Sequence, residues 1–242
     1  MKRYISVFEM ITRSSFYKVL GILLLMIGAE AVLLMHAWNQ PLAVIQPNLE
    51  EWIDQSYGIY LFWAAYWMVT KVLASAGTNT GSMQGYTLQR LRIPEKKVHL
   101  LQIIYNILCY LLLWVTQLGI LLAASVYYIN HKEDVILTNQ TIFLAFQRNE
   151  FMHSVFPLEE YFGWFSIVFF IVGTGILTAV FSRNQRRGKT AWSLAVFIVL
   201  AVVCFPRELG EEPILMLMVM LIWGLYAIVK AASNKGVQND ES

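Results

Sequence analysis

Charge is what this chain has least of. Only 14% of its 242 residues are Asp, Glu, Lys or Arg, against about 25% in an average soluble domain. A soluble fold of this length needs more charge than that on its surface, so the outer surface is expected to meet hydrocarbon. Cysteine is also scarce. Cys109 and Cys204 both lie inside apolar runs, which excludes a disulfide framework and reads as two small buried hydrophobes. The common catalytic signatures are missing. There is no GxxxxGKS or GxxxxGKT, hence no P-loop on this chain, and no HExxH, GxSxG or CxxC. Glu159-Glu160 resembles the acidic pair of an intramembrane protease, but Trp164 stands where that family has arginine. His36, His99, His131 and His153 are isolated at or beyond the ends of apolar runs, which suits interfacial residues better than metal ligands. No small-x-small cleavage pattern follows the first apolar run. Internal repeats, low-complexity segments and linkers are lacking too, so residues 1–242 read as one transmembrane domain.

Apolar residues make up 57% of the chain. They gather in six runs, near 19–38, 56–74, 100–129, 162–182, 191–206 and 213–230. A helix needs about 20 residues to cross about 30 Å of hydrocarbon. The third run is long enough to tilt or project, and the fifth is short. Lipid satisfies no backbone polar group, so the runs are expected to be helices, giving an all-α polytopic membrane protein. Ahead of them, residues 1–18 place Tyr4, Phe8, Ile11 and Ser15 on one face and carry four cations. They read as an interfacial amphipathic helix, or else as a basic tail that only sets topology.

Lys and Arg then orient the spans. Segments 1–18, 71–99, 183–190 and 230–242 hold 15 of the 18 cations. Segments 39–55, 130–161 and 207–212 hold three cations and 11 of the 16 acids. Cations accumulate on the cytoplasmic side, so both termini are expected there. The short basic segment Arg183–Lys189 reads as a topology anchor against anionic lipid. In 130–161, Ile142, Phe143, Phe146, Phe151, Met152, Val155 and Phe156 predict an amphipathic helix on the outer surface. It would start at Thr138 or Asn139 and end before Pro157.

Glu30 stands inside the first span, in GILLLMIGAEAVLLMHAW. An ionised carboxylate there costs several kcal/mol unless it finds a partner, so it is expected to face the bundle interior. It either lines a translocation path with Asn106 and Gln117, or is a packing carboxyl hydrogen-bonded to one of them. Gly163, Gly173, Thr174 and Gly175 of the fourth span predict close helix approach, within the chain or between subunits.

The longest polar-leaning stretch on the cytoplasmic side is KVLASAGTNTGSMQGYTLQRLRIPEKKVHL, residues 71–100. Gly77 and Gly81 break the second span, and Ser82 can cap a short helix over Met83–Arg92. Pro94 disfavours a helical Ile93 and suits the first position of the next helix. Tyr86, Leu88 and Leu91 supply apolar contacts, while Arg90, Arg92, Lys96 and Lys97 surround the short helix with positive charge. It reads as a helix that transmits a push into two spans, or as an ordinary loop with a surface-lying helix.

This layout resembles the permease subunits of bacterial type-2 ATP-binding-cassette exporters, which include drug and antimicrobial-peptide export and immunity transporters. The resemblance covers most of the chain in layout: basic start, six spans, both ends inside, and a helix-bearing loop between spans two and three. At residue level it is confined to Gly85-Tyr86-Thr87-Leu88-Gln89-Arg90-Leu91-Arg92-Ile93-Pro94-Glu95-Lys96-Lys97-Val98. The family's conspicuous outer structure lies between spans five and six, whereas here the large outer segment lies between three and four. The resemblance implies a non-enzymatic permease in the bacterial cytoplasmic membrane, paired with a second permease chain, the same or related. It implies separate P-loop ATPase subunits that hold ATP and Mg, and no nucleic-acid partner. It makes Met83, Tyr86, Leu88, Arg90, Leu91 and Arg92 the ATPase-docking residues of a coupling helix. A non-transporting assembly or sensor subunit is the alternative, and an intramembrane enzyme the third.

Overall fold

Between Lys2 and Trp38 the sequence contains no proline, and its only glycines, Gly21 and Gly28, have open space around their Cα atoms. Nothing there stops a helix. The computed structural model accordingly shows one unbroken helix, α1, over Lys2–Trp38. The basic start is therefore no separate helix, because residues 2–14 run without a break into the helix of the first span. The structure describes residues 2–39, 48–75, 95–131, 139–158, 161–186, 193–204, 218 and 222–226. Among these every element is a helix: α2 Leu49–Gln55, α3 Gly58–Ser75, α4 Glu95–His131, α5 Asn139–Arg148, α6 Glu150–Val155, α7 Tyr161–Arg186 and α8 Ser193–Cys204.

Among the described residues three stretches are long and apolar enough to cross a membrane: Ser15–Trp38 of α1, Lys97–His131 of α4 and Tyr161–Gln185 of α7. The surfaces they present agree. Leu24, Leu25, Val32 and Met35 of α1 are exposed, as are Leu108, Leu111 and Val115 of α4 and Phe165 and Val168 of α7. Contiguous apolar side chains of this kind belong against hydrocarbon. α3 is shorter, about 27 Å at 1.5 Å per residue, and is not one of the three, with Tyr60, Trp63, Tyr66, Trp67 and Lys71 along it. It runs within the bundle against α1, α4 and α7. Of the expected fifth and sixth spans, α8 covers 193–204, and 222–226 is helical with Gly224 close to Phe169 and Phe197. Met218 is helical too, and the other residues of those spans lie outside the described ones.

The core is built from helix faces. On α1 the buried positions are Val19, Leu23, Met26, Glu30, Leu34 and Ala37, a stripe spaced by three and four. α4 and α7 are antiparallel neighbours, and small residues let them meet closely. A Cβ added to Gly175 would lie 2.6 Å from Ile107 Cγ1 and 3.0 Å from Ile107 N, so the α7 backbone rests almost directly on that of α4. At Gly173 the neighbour is Phe197 of α8, 3.0 Å away. The close approach expected of this span is thus made within the chain.

Hydroxyls stitch α3, α4 and α7 together. The donor order is forced, because each hydroxyl has one proton. Thr70 Oγ1 donates to the Tyr66 carbonyl (2.8 Å) and accepts from Tyr110 Oη (2.9 Å). Tyr110 then has only lone pairs left for Thr178, 3.0 Å away, so Thr178 is the donor there. Thr174 Oγ1 donates to the Phe170 carbonyl (2.6 Å), so Tyr66 Oη donates to Thr174 (3.1 Å). Further along, Gln102 Nε2 donates to Ser182 Oγ at 3.1 Å.

One end of the bundle carries a cap. α2 opens at Asn48, whose N–H donates to Glu51 Oε2 (3.4 Å), and it buries Trp52. The Trp52 indole donates to the Leu34 carbonyl on α1 (3.0 Å), and its ring stacks on Tyr128 of α4 with centroids 5.7 Å apart. The single amphipathic helix expected before Pro157 is two helices, α5 and α6, divided at Asn149. Asn149 leaves the helix to make better bonds. Its Oδ1 accepts from Met152 N (2.9 Å) and caps α6, while Nδ2 donates to Asp54 Oδ1 (2.7 Å) on the end of α2. Trp114 Nε1 on α4 donates to the Val155 carbonyl at 3.0 Å and ties α6 down.

The contact at Gly175 is expected to tolerate no side chain. Gly175→Ala should lower stability by about 1–3 kcal/mol, read as the thermal midpoint in detergent. Gly119→Ala, which has open space around it, is the control and should leave the midpoint unchanged. Equal midpoints for the two variants would contradict the packing described.

Candidate functional site

Placing a carboxyl on the inner stripe of α1 leaves it one way to be satisfied, which is by a side chain on a facing helix. Glu30 is 1% exposed, and Gln117 of α4 is fully buried opposite it. Gln117 Nε2 donates to Glu30 Oε1 at 2.8 Å. The third party is a glycine. Gly58, the first residue of α3, lies so close that a Cβ there would stand 2.7 Å from Glu30 Oε1 and 3.5 Å from Phe151 of α6. The preceding residue, Tyr57, turns the chain from α2 into α3 with φ of 54°, a left-handed conformation unusual for a bulky residue. Gly58 thus brings α3 against the carboxyl, and the cap roofs the pair from above.

The pair is only half satisfied. Glu30 Oε2 and Gln117 Oε1 are buried and have no hydrogen-bond partner. Both are acceptors when Glu30 is ionised. Burying such oxygens bare is costly, so the site favours whatever brings a donor. A proton on the carboxyl would serve, as would an N–H or a cation of a bound molecule. Two aromatic clusters flank the site. Trp38, Trp52, Tyr127 and Tyr128 lie on the cap side, with Trp38 and Trp52 centroids 5.5 Å apart. Tyr66 and Phe170 stack at 5.0 Å further into the bundle. Beside the pair, an apolar pocket of about 430 Å3 opens between α1 and α4, lined by Ile27, Ala31, Leu34, Trp38 and Ala124 among others. Glu30 and Gln117 do not line it.

Of the expected path residues, the structure brings Glu30 and Gln117 together and leaves Asn106 out. Asn106 Nδ2 donates to the Gly175 carbonyl on α7 at 3.4 Å. It lies on roughly the same face of α4 as Gln117 but three turns away, about 16 Å along the axis. Its amide helps α7 pack and does not meet Glu30. Met83, Tyr86, Leu88, Arg90, Leu91 and Arg92, the expected docking residues, lie outside the described residues. So do Glu159 and Glu160. Among the described residues no three His, Cys, Asp or Glu side chains gather, and Cys109 is a buried free thiol.

Reading the sequence alone missed Gly58, because a glycine at a span's start looks like a loop residue. It also missed the hydroxyl stitching, although Tyr66/Thr70 and Thr174/Thr178/Ser182 recur at helical spacing within apolar helices. Neither a family model, nor a curated protein, nor a solved structure matches the chain.

Gly58→Ala is expected to push the Glu30 carboxyl off Gln117 and cost about 1–3 kcal/mol, the penalty of a buried polar group left unpaired. In a Glu30→Ala background the same Gly58→Ala change should cost little more, because the colliding oxygen is gone. Thermal midpoints of the single and double variants check this. Additive losses would mean that Gly58 matters for some other reason.

Proposed function

We propose that the chain is the membrane-spanning permease subunit of an ATP-driven exporter of lipophilic or amphipathic molecules, with ATPase activity on a separate subunit. One geometric relation carries this reading. The two helices joined by residues 76–94 are α3 and α4, and both lead to the buried pair. α4 carries Gln117, about 33 Å from its start at Glu95, and α3 begins at Gly58, about 26 Å from its end at Ser75. The Tyr110–Thr70 bond joins the two helices part way along. A displacement applied to 76–94 therefore reaches the spacing of Gln117, Gly58 and Glu30 at the other end.

On this reading 76–94 is the docking segment for a P-loop ATPase that binds ATP and Mg. It lies on the cytoplasmic side of a bacterial membrane with both termini, the chain crosses six times, and it pairs with a second permease chain. The cap of α2, α5 and α6 faces outward. Closure of the ATPases would push α3 and α4 together, and the half-satisfied carboxyl would exchange partners as cargo passes. The aromatic flanks of the site suit an amphipathic cargo such as an antimicrobial peptide or a drug.

A second reading, a non-transporting assembly or sensor subunit, is favoured by the α3–α4–α7 hydroxyls, which are all paired as in a static core. Partners separate the two. Affinity purification of the tagged chain from its native membrane is expected to bring down a soluble ATPase with a P-loop, identified by mass spectrometry. Reversing Arg90 and Arg92 together to Glu should cut that recovery at least tenfold without lowering the chain's own level. Glu30→Gln should leave the ATPase bound and impair export. Recovery of other membrane proteins and no ATPase would favour the assembly reading.

A further inference from the structure

A second hollow lies at the end of the bundle away from the cap, between α3, α7 and α8. It has a volume of about 410 Å3. Its apolar wall includes Trp67, Phe181, Leu194 and Ile198, and its polar edge is Lys71 with Gln185. Trp67 and Lys71 are four residues apart on α3, so they stack on one face, and both are exposed. Among the described residues Lys71 has no carboxylate or hydrogen-bond partner. It lies one turn before the end of α3 at Ser75. The hollow therefore has an indole and aliphatic side chains toward the middle of the bundle and an uncompensated ammonium toward its end.

We propose that this hollow holds an anionic phospholipid. The match lies in the order of the groups along the helix. Lys71 would meet the phosphate, Gln185 the glycerol or ester oxygens, and Leu194, Ile198 and Phe181 the first part of an acyl chain. Trp67, one turn deeper in the bundle than Lys71, adds an indole to the wall that the acyl chain would follow. The charge at this end has the sign an anionic headgroup needs: α7 ends at Arg186, and the sequence continues Arg187-Gly188-Lys189. Basic hollows between membrane helices are suited to anionic headgroups. A zwitterionic lipid would bring its own cation next to Lys71 and lose the advantage. The proposal rests on the chain's being embedded in a membrane and not on any transport role.

The test uses the full chain purified in mild detergent, with phosphatidylglycerol or phosphatidylcholine added. Phosphatidylglycerol is expected to raise the thermal midpoint and to remain bound in native mass spectra, with phosphatidylcholine doing neither. Lys71→Gln should weaken phosphatidylglycerol retention about fivefold, the effect of one interfacial cation, and Lys71→Arg should keep it. Ala195→Trp, which fills the apolar half, should abolish retention while leaving the lipid-free midpoint close to that of the unaltered chain. Equal effects of the two lipids would overturn the proposal. So would full retention by Lys71→Gln, or the same midpoint shift from inorganic phosphate alone.

Discussion

Hydrocarbon offers no hydrogen bonds, and every polar atom inside this bundle must find its partner in the protein. Most of the architecture follows from that. Backbone groups are satisfied by making every described element a helix. Side-chain hydroxyls are satisfied by running in two relays across α3, α4 and α7, each ending on a main-chain carbonyl. Because each relay has a single possible donor order, the three helices are held in one rotational setting. Such bonds contribute about 0.5–2 kcal/mol each in a membrane. Their larger effect is on register, since a slip of one residue on any of the three helices would strand several donors at once.

Against that background Glu30 and Gln117 stand out, facing each other with one buried oxygen apiece that nothing satisfies. They sit where three separately anchored parts converge: α1, the start of α3, and the cap held by Asn149, Trp52 and Trp114. That region is anchored on several sides and short of donors in the middle, which is the arrangement the proposed exchange of partners needs. The left-handed Tyr57 next to Gly58 fits the same picture, because strained backbone persists where its surroundings over-determine it.

Much of this was legible in the sequence. The long apolar helices, the inward position of Glu30 and the tight contact at Gly173 to Gly175 all follow from composition and from the cost of burying charge or leaving voids. What was not legible depended on long-range pairing. Residues 39–55 read as a plain outer loop, yet Asn48 and Glu51 start a helix there and Trp52 finds a carbonyl on α1. The break at Asn149 was hidden because its reward is Asp54, 95 residues earlier. Asn106 looked equivalent to Gln117 because both are amides on one face of a long helix, and only distance along the axis separates them. The joint at residue 18 was expected from a change in composition. A change in composition does not end a helix; only a breaker or a cap does, and none is present.

That missing joint has a mechanical meaning. α1 is 37 residues long, about 55 Å, whereas a bilayer with its headgroups is about 40–45 Å thick. An untilted α1 would stand proud of the membrane by two turns or more. Its basic first turn and Glu30 are fixed points on one stiff rod, about 42 Å apart. Whatever grips, tilts or turns the protruding end therefore swings the carboxyl against Gln117, giving the buried pair a lever arm independent of the two helices that reach it from residues 76–94.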